Sequence, residues 1–142
     1  MSEENKAIAR RWVEELWGQG HVEVADEIIA ADYSVHDSGT PNRSGGIEGE
    51  KYAVAMYRNV FPDLWFSIED MIASGDRVVI CHTAHGTHRG DLMNIPATGR
   101  KVAITGVSIL RIKNGKIVEL RITWDKLGMF QQLGIAPPIE KE

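Results

Sequence analysis

Residues 115–134, GKIVELRITWDKLGMFQQLG, decide the fold that the sequence predicts. They begin with the second residue of an Asn114-Gly115 pair that separates two runs of β-branched residues. Asn-Gly in this position is a strong hairpin signal, because a type I′ turn needs a positive φ at both central residues. If this pair forms the turn, Lys113 lies opposite Lys116 and the register follows along both strands. The sequence therefore predicts an antiparallel hairpin that leads into a short amphipathic segment.

An unbroken register would give this hairpin two different faces, because side chains alternate along a strand. The almost wholly apolar face would carry Val107, Ile109, Val118, Leu120, Ile122 and Trp124. The other face mixes apolar with polar and charged residues around Gly106. Apolar walls with a few convergent polar groups suit a ligand cavity, although a half-solvated sheet face would have the same pattern.

The rest of the chain predicts helices first and strands afterwards. Ile8, Trp12 and Leu16 recur at four-residue spacing, a second helix covers residues 24–29, and a third runs over about 47–60. Four main strands follow, the last two forming the hairpin. This order indicates one α+β domain over residues 1–142, with the helices packed on one face of an antiparallel sheet.

Composition excludes several classes of protein. The chain has 142 residues and a net charge of -4, with no basic face, so nucleic acid is not an expected partner. No apolar run has the length of a membrane span, and the N-terminus lacks the apolar core of a signal peptide. Cys81 is the only cysteine, which fits a reducing compartment. We therefore expect a cytoplasmic protein, and since no phosphate-binding or dinucleotide motif occurs, one without a cofactor.

Asp125 and His36 are the candidate acid/base residues. Asp125 ends a strand that is otherwise apolar, directly after Trp124, and burial there would raise the pKa of its carboxyl group toward neutrality. The alternative is an N-cap for the following helix, since Asp is a preferred cap. His36 ends a short extended piece beside a glycine-rich loop, where it could line a pocket mouth or lie in a surface turn.

The histidines at positions 82, 85 and 88 are spaced for a metal only on a helix. On a strand His82 and His88 point one way and His85 the other, so the three imidazoles do not converge. We therefore expect no metal site here. Histidines that are solvated or hydrogen-bonded are the alternative.

Two segments rich in turn-forming residues are expected to be mobile and to frame a pocket mouth: 38–46 and 89–100. The Pro137-Pro138 pair and the charged residues 140–142 are expected to form a frayed tail.

Several short motifs resemble those of one family, the SnoaL-like polyketide cyclases, often called ester cyclases, of the nuclear transport factor two-like superfamily. The motifs are Phe61-Pro62-Asp63, Gly86-Thr87-His88, residues 114–119, Trp124-Asp125 and residues 131–134. The resemblance covers nearly the whole chain. It implies a cone in which three N-terminal helices pack on a curved antiparallel sheet and enclose an apolar pocket, usually in a homodimer.

The same resemblance implies an activity. These cyclases close a ring by intramolecular aldol condensation without a metal or cofactor, and an aspartate at the position of Asp125 is the general acid/base. His36 resembles their pocket histidine. A second pocket histidine, present in some members on the strand before the hairpin turn, has no match in residues 105–108. The side chains expected to contact a substrate are Trp17, Tyr33, Met56, Tyr57 and Ser108.

Three functional hypotheses follow. The first is a small SnoaL-like enzyme, a cyclase of the lyase or isomerase type or a hydrolase, that acts on an apolar molecule with a carbonyl group. The second is a non-catalytic binding or assembly module. A third, weaker option is a hydratase like the epoxide hydrolases of this fold, which would need acids paired around a water. A homodimer is expected in each case, because the apolar hairpin face is larger than one layer of helices readily covers; the mixed face is the alternative interface.

Overall fold

Five strands and five helical segments make up the fold in the computed structural model, which describes residues 2–135. The helical segments are α1 (Ser2–Arg11), a π-helix that continues it (Trp12–Trp17), α2 (Val24–Ile28), α3 (Gly46–Val60) and α4 (Lys126–Gln132). The strands are β1 (Ile29–Asp37), β2 (Trp65–Ser74), β3 (Arg77–Thr87), β4 (Lys101–Lys113) and β5 (Lys116–Trp124). Within the described residues, each helix is too short or too polar to cross a membrane. The predicted tail lies outside them.

The strands form one sheet in the order β1-β5-β4-β3-β2. The pairs β2–β3, β3–β4 and β4–β5 are antiparallel, as the sequence predicted. The pair β1–β5 is parallel. The short extended piece that ends near His36 is therefore part of β1, a nine-residue strand in addition to the four predicted ones. The α+β class, with the N-terminal helices on a curved sheet, is confirmed.

The hairpin turn is as predicted, but the register beyond it is not. Asn114 and Gly115 both have positive φ (53° and 77°), and Lys113 pairs with Lys116. A β-bulge then follows, so that Arg111 pairs with Glu119 instead of Val118. One extra residue in β5 exchanges the two faces of everything after it.

The bulge removes the apolar hairpin face that an unbroken register would have given. Val107 and Ile109 point away from the helices, with Val107 42% exposed. Leu120 is completely buried on the inner face and Ile122 and Trp124 line the cavity there. The expectation of one continuous apolar face on the hairpin is therefore wrong.

Two apolar clusters fill the space between helices and sheet. The larger joins α1, the π-helix and α2 to the start of β3, the end of β4 and the start of β5. Its sheet residues include Ile80, Leu110, Ile117 and Leu120, all 0% exposed. The smaller one joins the end of α3 to α4 and the start of β4. A cavity lies where the two clusters meet.

The π-helix orients two tryptophans toward the same point. Gly18 N donates to Val13 O at 2.8 Å, an i→i−5 bond that widens the helix at this turn. In an α-helix, residues five apart point about 140° away from each other. The wider turn instead lets the indole Nε1 atoms of Trp12 and Trp17 both donate to Glu50 Oε2, each at 2.9 Å.

Candidate functional site

A cavity of about 90 Å³ lies between the helices and the concave face of the sheet, partly open to solvent. Its walls are mainly aromatic and aliphatic. They are formed by Trp12, Val13, Trp17, Tyr57, Phe61, Leu64, Phe66, Ala84, Ile104, Leu120, Ile122, Trp124 and Met129. Three other lining residues carry polar or charged groups, Asp37, Arg43 and His82.

Asp37 reaches the cavity because of the alternation along β1. Tyr33 is buried, so residues 35 and 37 point the same way and the residues between them point outward. Asp37 Oδ1 accepts hydrogen bonds from Gly39 N, Thr40 N and Trp124 Nε1 at 2.9–3.1 Å. Its Oδ2 accepts one from Arg43. The carboxylate thus closes the start of the loop that follows β1.

Glu50 lies on α3 behind the cavity wall and is 0% exposed. Oε2 accepts from the two tryptophans of the π-helix, and Oε1 accepts from Tyr33 Oη at 2.9 Å and from Arg43. Burial, reinforced by the charge of this carboxylate, raises the pKa of Tyr33 well above its usual value, so the phenol stays a donor. With four donors, Glu50 on α3 is a structural anchor for three other segments of the chain: the π-helix, β1 and the loop that follows β1.

Arg43 connects the two carboxylates. Its side chain is 9% exposed; Nη1 donates to Asp37 Oδ2 at 3.1 Å and Nη2 donates to Glu50. Burial alone would lower the pKa of this guanidinium, but the charges of Glu50, Tyr33 and Asp37 and the hydrogen bond to Asp37 together outweigh it, so the pKa is raised. Nε is buried and has no hydrogen-bond partner among the described residues.

His82 is the one imidazole on the cavity wall, in the part of the chain that the structure describes. It lies on the inner face of β3, opposite Gly106 of β4, and its Nε2 is 2.8 Å from Ser108 Oγ. A Cβ on residue 106 would lie 2.8 Å from His82 Cε1, so the glycine provides the room for the ring. Burial lowers the pKa of His82 to about 4, which makes the imidazole neutral at pH 7. Its Nδ1 is buried without a partner among the described residues.

Asp125 does not line the cavity. It is exposed, it ends β5, and its Oδ1 accepts from Gly128 N at 2.9 Å as the N-cap of α4. A Cβ on residue 128 would lie 2.0 Å from Asp125 Oδ2, so the glycine makes room for the cap. The expectation that Asp125 is enclosed in an apolar pocket is wrong, because a carboxylate that bonds to the first turn of a helix points along the helix and away from the sheet.

His36 also lies outside the cavity. Its side chain is 50% exposed, and Nε2 is 3.2 Å from Glu119 Oε2 on the convex side of the sheet. The same carboxylate pairs with Arg111 and Arg121. The expected pocket position of His36 is therefore wrong; the alternation of β1 gives that position to Asp37, one residue later.

The expected substrate contacts lie at different depths. Trp17 and Tyr57 line the cavity. Tyr33 and Ser108 do not line it: Tyr33 donates to Glu50 behind the wall, and Ser108 is hydrogen-bonded to His82, which is on the wall. Met56 is part of the smaller apolar cluster and is not on the cavity wall.

Both segments expected to be mobile are anchored. Arg43 ties residues 38–45 to Asp37 and Glu50. In 89–100, Leu92 is 2% exposed, and His88 Nδ1 accepts from Thr98 N at 3.2 Å. Their turn-rich composition was correctly interpreted as loop, but it carried no information about these contacts.

The three histidines of β3 and its end diverge. His85 is on the convex face and stacks on Trp65 with ring centroids 4.1 Å apart, whereas His82 and His88 are buried. Among residues 2–135, no three His, Cys, Asp or Glu side chains form a group that could hold a metal ion.

The polar groups of the cavity differ from those that the sequence suggested. Asp37 could have been found, because Tyr33 and Val35 set the inward direction of β1. His82 had a weaker signal in Gly106, whose partner across the ladder depends on the register. Arg43 had none, since a single arginine in a Gly/Ser/Pro-rich loop is typical of a solvated side chain.

Comparisons with known proteins agree with this architecture. The model of the SnoaL-like polyketide cyclase family matches residues 7–133. A structure from Acidithiobacillus ferrooxidans, provisionally assigned as a polyketide cyclase, is 32% identical with a TM-score of 0.84, over 94% of this chain and 96% of that one. IdmH from Streptomyces antibioticus, with the same provisional assignment, is 29% identical with a TM-score of 0.81, over 92% and 98%.

Curated relatives match over a shorter stretch. Aklanonic acid methyl ester cyclase DnrD of Streptomyces peucetius is 42% identical over 50 residues, which is 35% of this chain and 34% of the relative. The match therefore spans about a third of that protein. Since the family model covers most of the chain, the protein belongs to the SnoaL-like polyketide cyclase family.

Proposed function

We propose that the protein is a cofactor-independent cyclase or isomerase that moves a proton on a small, largely apolar, carbonyl-bearing substrate. The observation that carries the proposal is the neutral His82 on the wall of an apolar cavity, with one ring nitrogen bonded to Ser108 and the other without a partner among residues 2–135. Apolar walls with few polar groups are typical of sites for such substrates.

His82 is the best candidate for the base by elimination. Asp125 is outside the cavity, and the carboxylates of Asp37 and Glu50 each accept four hydrogen bonds. In the His82 tautomer that donates from Nε2 to Ser108 Oγ, Nδ1 is left as a proton acceptor. The proposed general acid/base is therefore a histidine and not the aspartate that the family resemblance suggests.

The low pKa of His82 limits which protons it could remove. An imidazole with a pKa of about 4 is a weak base, so the carbon acid must be activated, as it is between two carbonyl groups. Removal of that proton gives an enolate, whose carbon then attacks a third carbonyl elsewhere in the same molecule in an aldol closure, and His82 returns the proton to the new alkoxide. A β-keto ester or β-diketone segment fits this requirement.

The volume of the cavity limits the substrate as well. About 90 Å³ is well below the roughly 300–1,000 Å³ of typical ligand pockets. The reacting segment of a substrate would fill it, and a larger ring system would extend through the opening or require the 38–45 loop to move.

The test is a turnover assay with aklanonic acid methyl ester, named for the curated relatives, and with simple β-keto esters that carry a further ketone or aldehyde as the aldol acceptor. His82→Gln keeps an amide group that can hydrogen-bond to Ser108 in place of Nε2, but it removes the base. The turnover rate should therefore fall by a factor of about 10²–10⁴. Asp125→Asn is the matched control and should keep the rate within about threefold, since Asn caps as well as Asp. A large loss in Asp125→Asn together with an active His82→Gln would overturn the histidine assignment in favour of the aspartate.

A non-catalytic binding module is the second candidate, favoured by the saturated hydrogen bonds of Asp37 and Glu50. In that case compounds that fill the cavity would raise the melting temperature of the wild type and of His82→Gln alike, with no turnover in either.

We also propose that the protein forms a homodimer through the convex face of the sheet. Val107 is exposed there, and Val79 and Ile109 are only half-buried. Light scattering at micromolar concentration should give about twice the 15.8 kDa of the chain, and Val107→Glu should shift it toward the monomer. A monomer of the wild type at that concentration would contradict the proposal.

A further inference from the structure

We propose that Arg43 binds the carbonyl oxygen of the substrate through its Nε–H and stabilises the negative charge that develops on this oxygen when His82 takes the α-proton. This inference rests on the proposed function and adds to it a second group that acts on the substrate, from a loop with no sequence motif.

The first support is the state of the guanidinium. Its two terminal nitrogens are held by carboxylates, Nη1 by Asp37 and Nη2 by Glu50, while Nε is buried and has no acceptor among the described residues. Leaving a buried donor unsatisfied costs about 1–3 kcal/mol. Such a donor beside a cavity is explained if an acceptor from a ligand completes it.

The second support is the fixed orientation of that donor. A guanidinium is planar, so holding both ends of its fork also sets the direction of the Nε–H bond. Glu50 is itself held by Trp12, Trp17 and Tyr33, which makes the anchor rigid. A donor that does not need to reorient is what stabilises charge in a transition state.

The third support is the distribution of charge on the cavity wall. Among the lining residues that the structure describes, Arg43 is the one permanently cationic side chain, and the indole N–H groups of Trp12, Trp17 and Trp124 are already donated to carboxylates. Besides Arg43, the hydroxyl of Tyr57 also lies on this wall, where it is hydrogen-bonded to Thr40. It is neutral, so Arg43 is the donor there that brings a full positive charge to an enolate oxygen. The balance of the step is complete: the C–H bond breaks, the proton goes to His82, a C=C bond forms, and the carbonyl electron pair moves to the oxygen that faces Arg43.

The direct test is an NMR titration of the wild-type protein labelled with ¹⁵N at arginine. The Nε–H signal of Arg43, assigned through its own side-chain connectivity, should move downfield when acetylacetone, a β-diketone, is added. Cyclopentane is the control probe, since it fills apolar space without an acceptor oxygen or a ring current, and it should leave the shift nearly unchanged. An Arg43 signal that stays in place with acetylacetone, whether the diketone binds elsewhere or not at all, overturns the inference.

The kinetic test compares the same substitution, arginine to lysine, at two positions. Arg43→Lys keeps a positive charge between Asp37 and Glu50 but removes Nε–H, and kcat should fall by about 10²-fold. Arg58→Lys is the matched control: Arg58 also binds internal acceptors, the carbonyl oxygens of Trp17, Gly18 and Leu64, but does not line the cavity, so kcat should stay within about twofold. Circular dichroism checks that both variants fold. If Arg43→Lys does not fold, the NMR titration of the wild type decides the question.

The outcomes separate this inference from the proposed function. Loss of turnover in His82→Gln with an unaffected Arg43→Lys would leave the histidine mechanism standing and refute the role of Arg43. Full turnover in His82→Gln would refute the histidine mechanism, whatever the arginine signal does.

Discussion

Acidification should weaken the fold through His82 by a predictable amount. Burial lowers its pKa from 6.5 to about 4, and one pKa unit corresponds to about 1.4 kcal/mol of difference between the two protonation states. The difference of roughly two and a half units therefore amounts to about 3 kcal/mol of unfolding free energy. This is a large share of the 5–15 kcal/mol of stability that is typical of a domain.

The sign follows from where the proton binds. Between about pH 6.5 and pH 4 the imidazole of the unfolded chain takes up a proton that the folded chain excludes, so the unfolded state binds more protons. The contribution of neutral His82 is complete above about pH 6.5, declines as the pH falls toward 4, and changes no further below that. The pKa of His82 is lowered because burial disfavours the charged imidazolium relative to the neutral imidazole.

Urea denaturation of the wild type and of His82→Gln at about pH 7 and about pH 4.5 measures this contribution. Carboxylates with lowered pKa values, such as those of Asp63 and Glu119, titrate in both proteins and cancel in the comparison. The wild type should lose about 2–3 kcal/mol more than the variant over this interval. Equal losses in the two proteins would refute the burial of a neutral imidazole, and with it the state of the proposed base.

Three further substitutions test the architecture around the site. Gly106→Ala adds a Cβ 2.8 Å from His82 Cε1, so it should displace the ring and lower the unfolding free energy by about 1–3 kcal/mol in urea denaturation; an unchanged value would mean that the ring has room to spare. Glu50→Gln removes the charge opposite Arg43 and should cost about 3–5 kcal/mol by the same measurement, whereas a loss below 1 kcal/mol would contradict its role as an anchor. Asp125→Ala removes the N-cap of α4 and should cost about 1 kcal/mol with kcat unchanged, while Asp125→Asn should restore the stability; a fall in kcat in either variant would contradict a purely structural cap.

The sequence was sufficient for the parts of the fold that depend on local patterns. Helix periodicity and the Asn114-Gly115 turn gave the three N-terminal helices and the last hairpin close to their observed bounds. Local patterns did not predict the β-bulge near Val118, because no residue there differs from an ordinary strand residue. Its effect was large, since a shift of one residue exchanged the faces of the strand that carries Leu120 and Trp124.

The site was harder to predict because its polar groups depend on pairing between strands. The family resemblance implies a pocket histidine on the strand before the hairpin turn, and β4 has none. β3 instead supplies His82 from the neighbouring strand, over Gly106, where the missing side chain leaves space for the ring. An imidazole on β3 with glycine opposite, or on β4 with a small residue opposite, would occupy nearly the same volume on the concave face, because paired residues of adjacent strands share one face. If this equivalence holds, a variant with Gly106→His and His82→Gly should recover part of the turnover that His82→Gly alone loses; no recovery in a folded double variant would show that the strand of origin matters as well as the position of the ring.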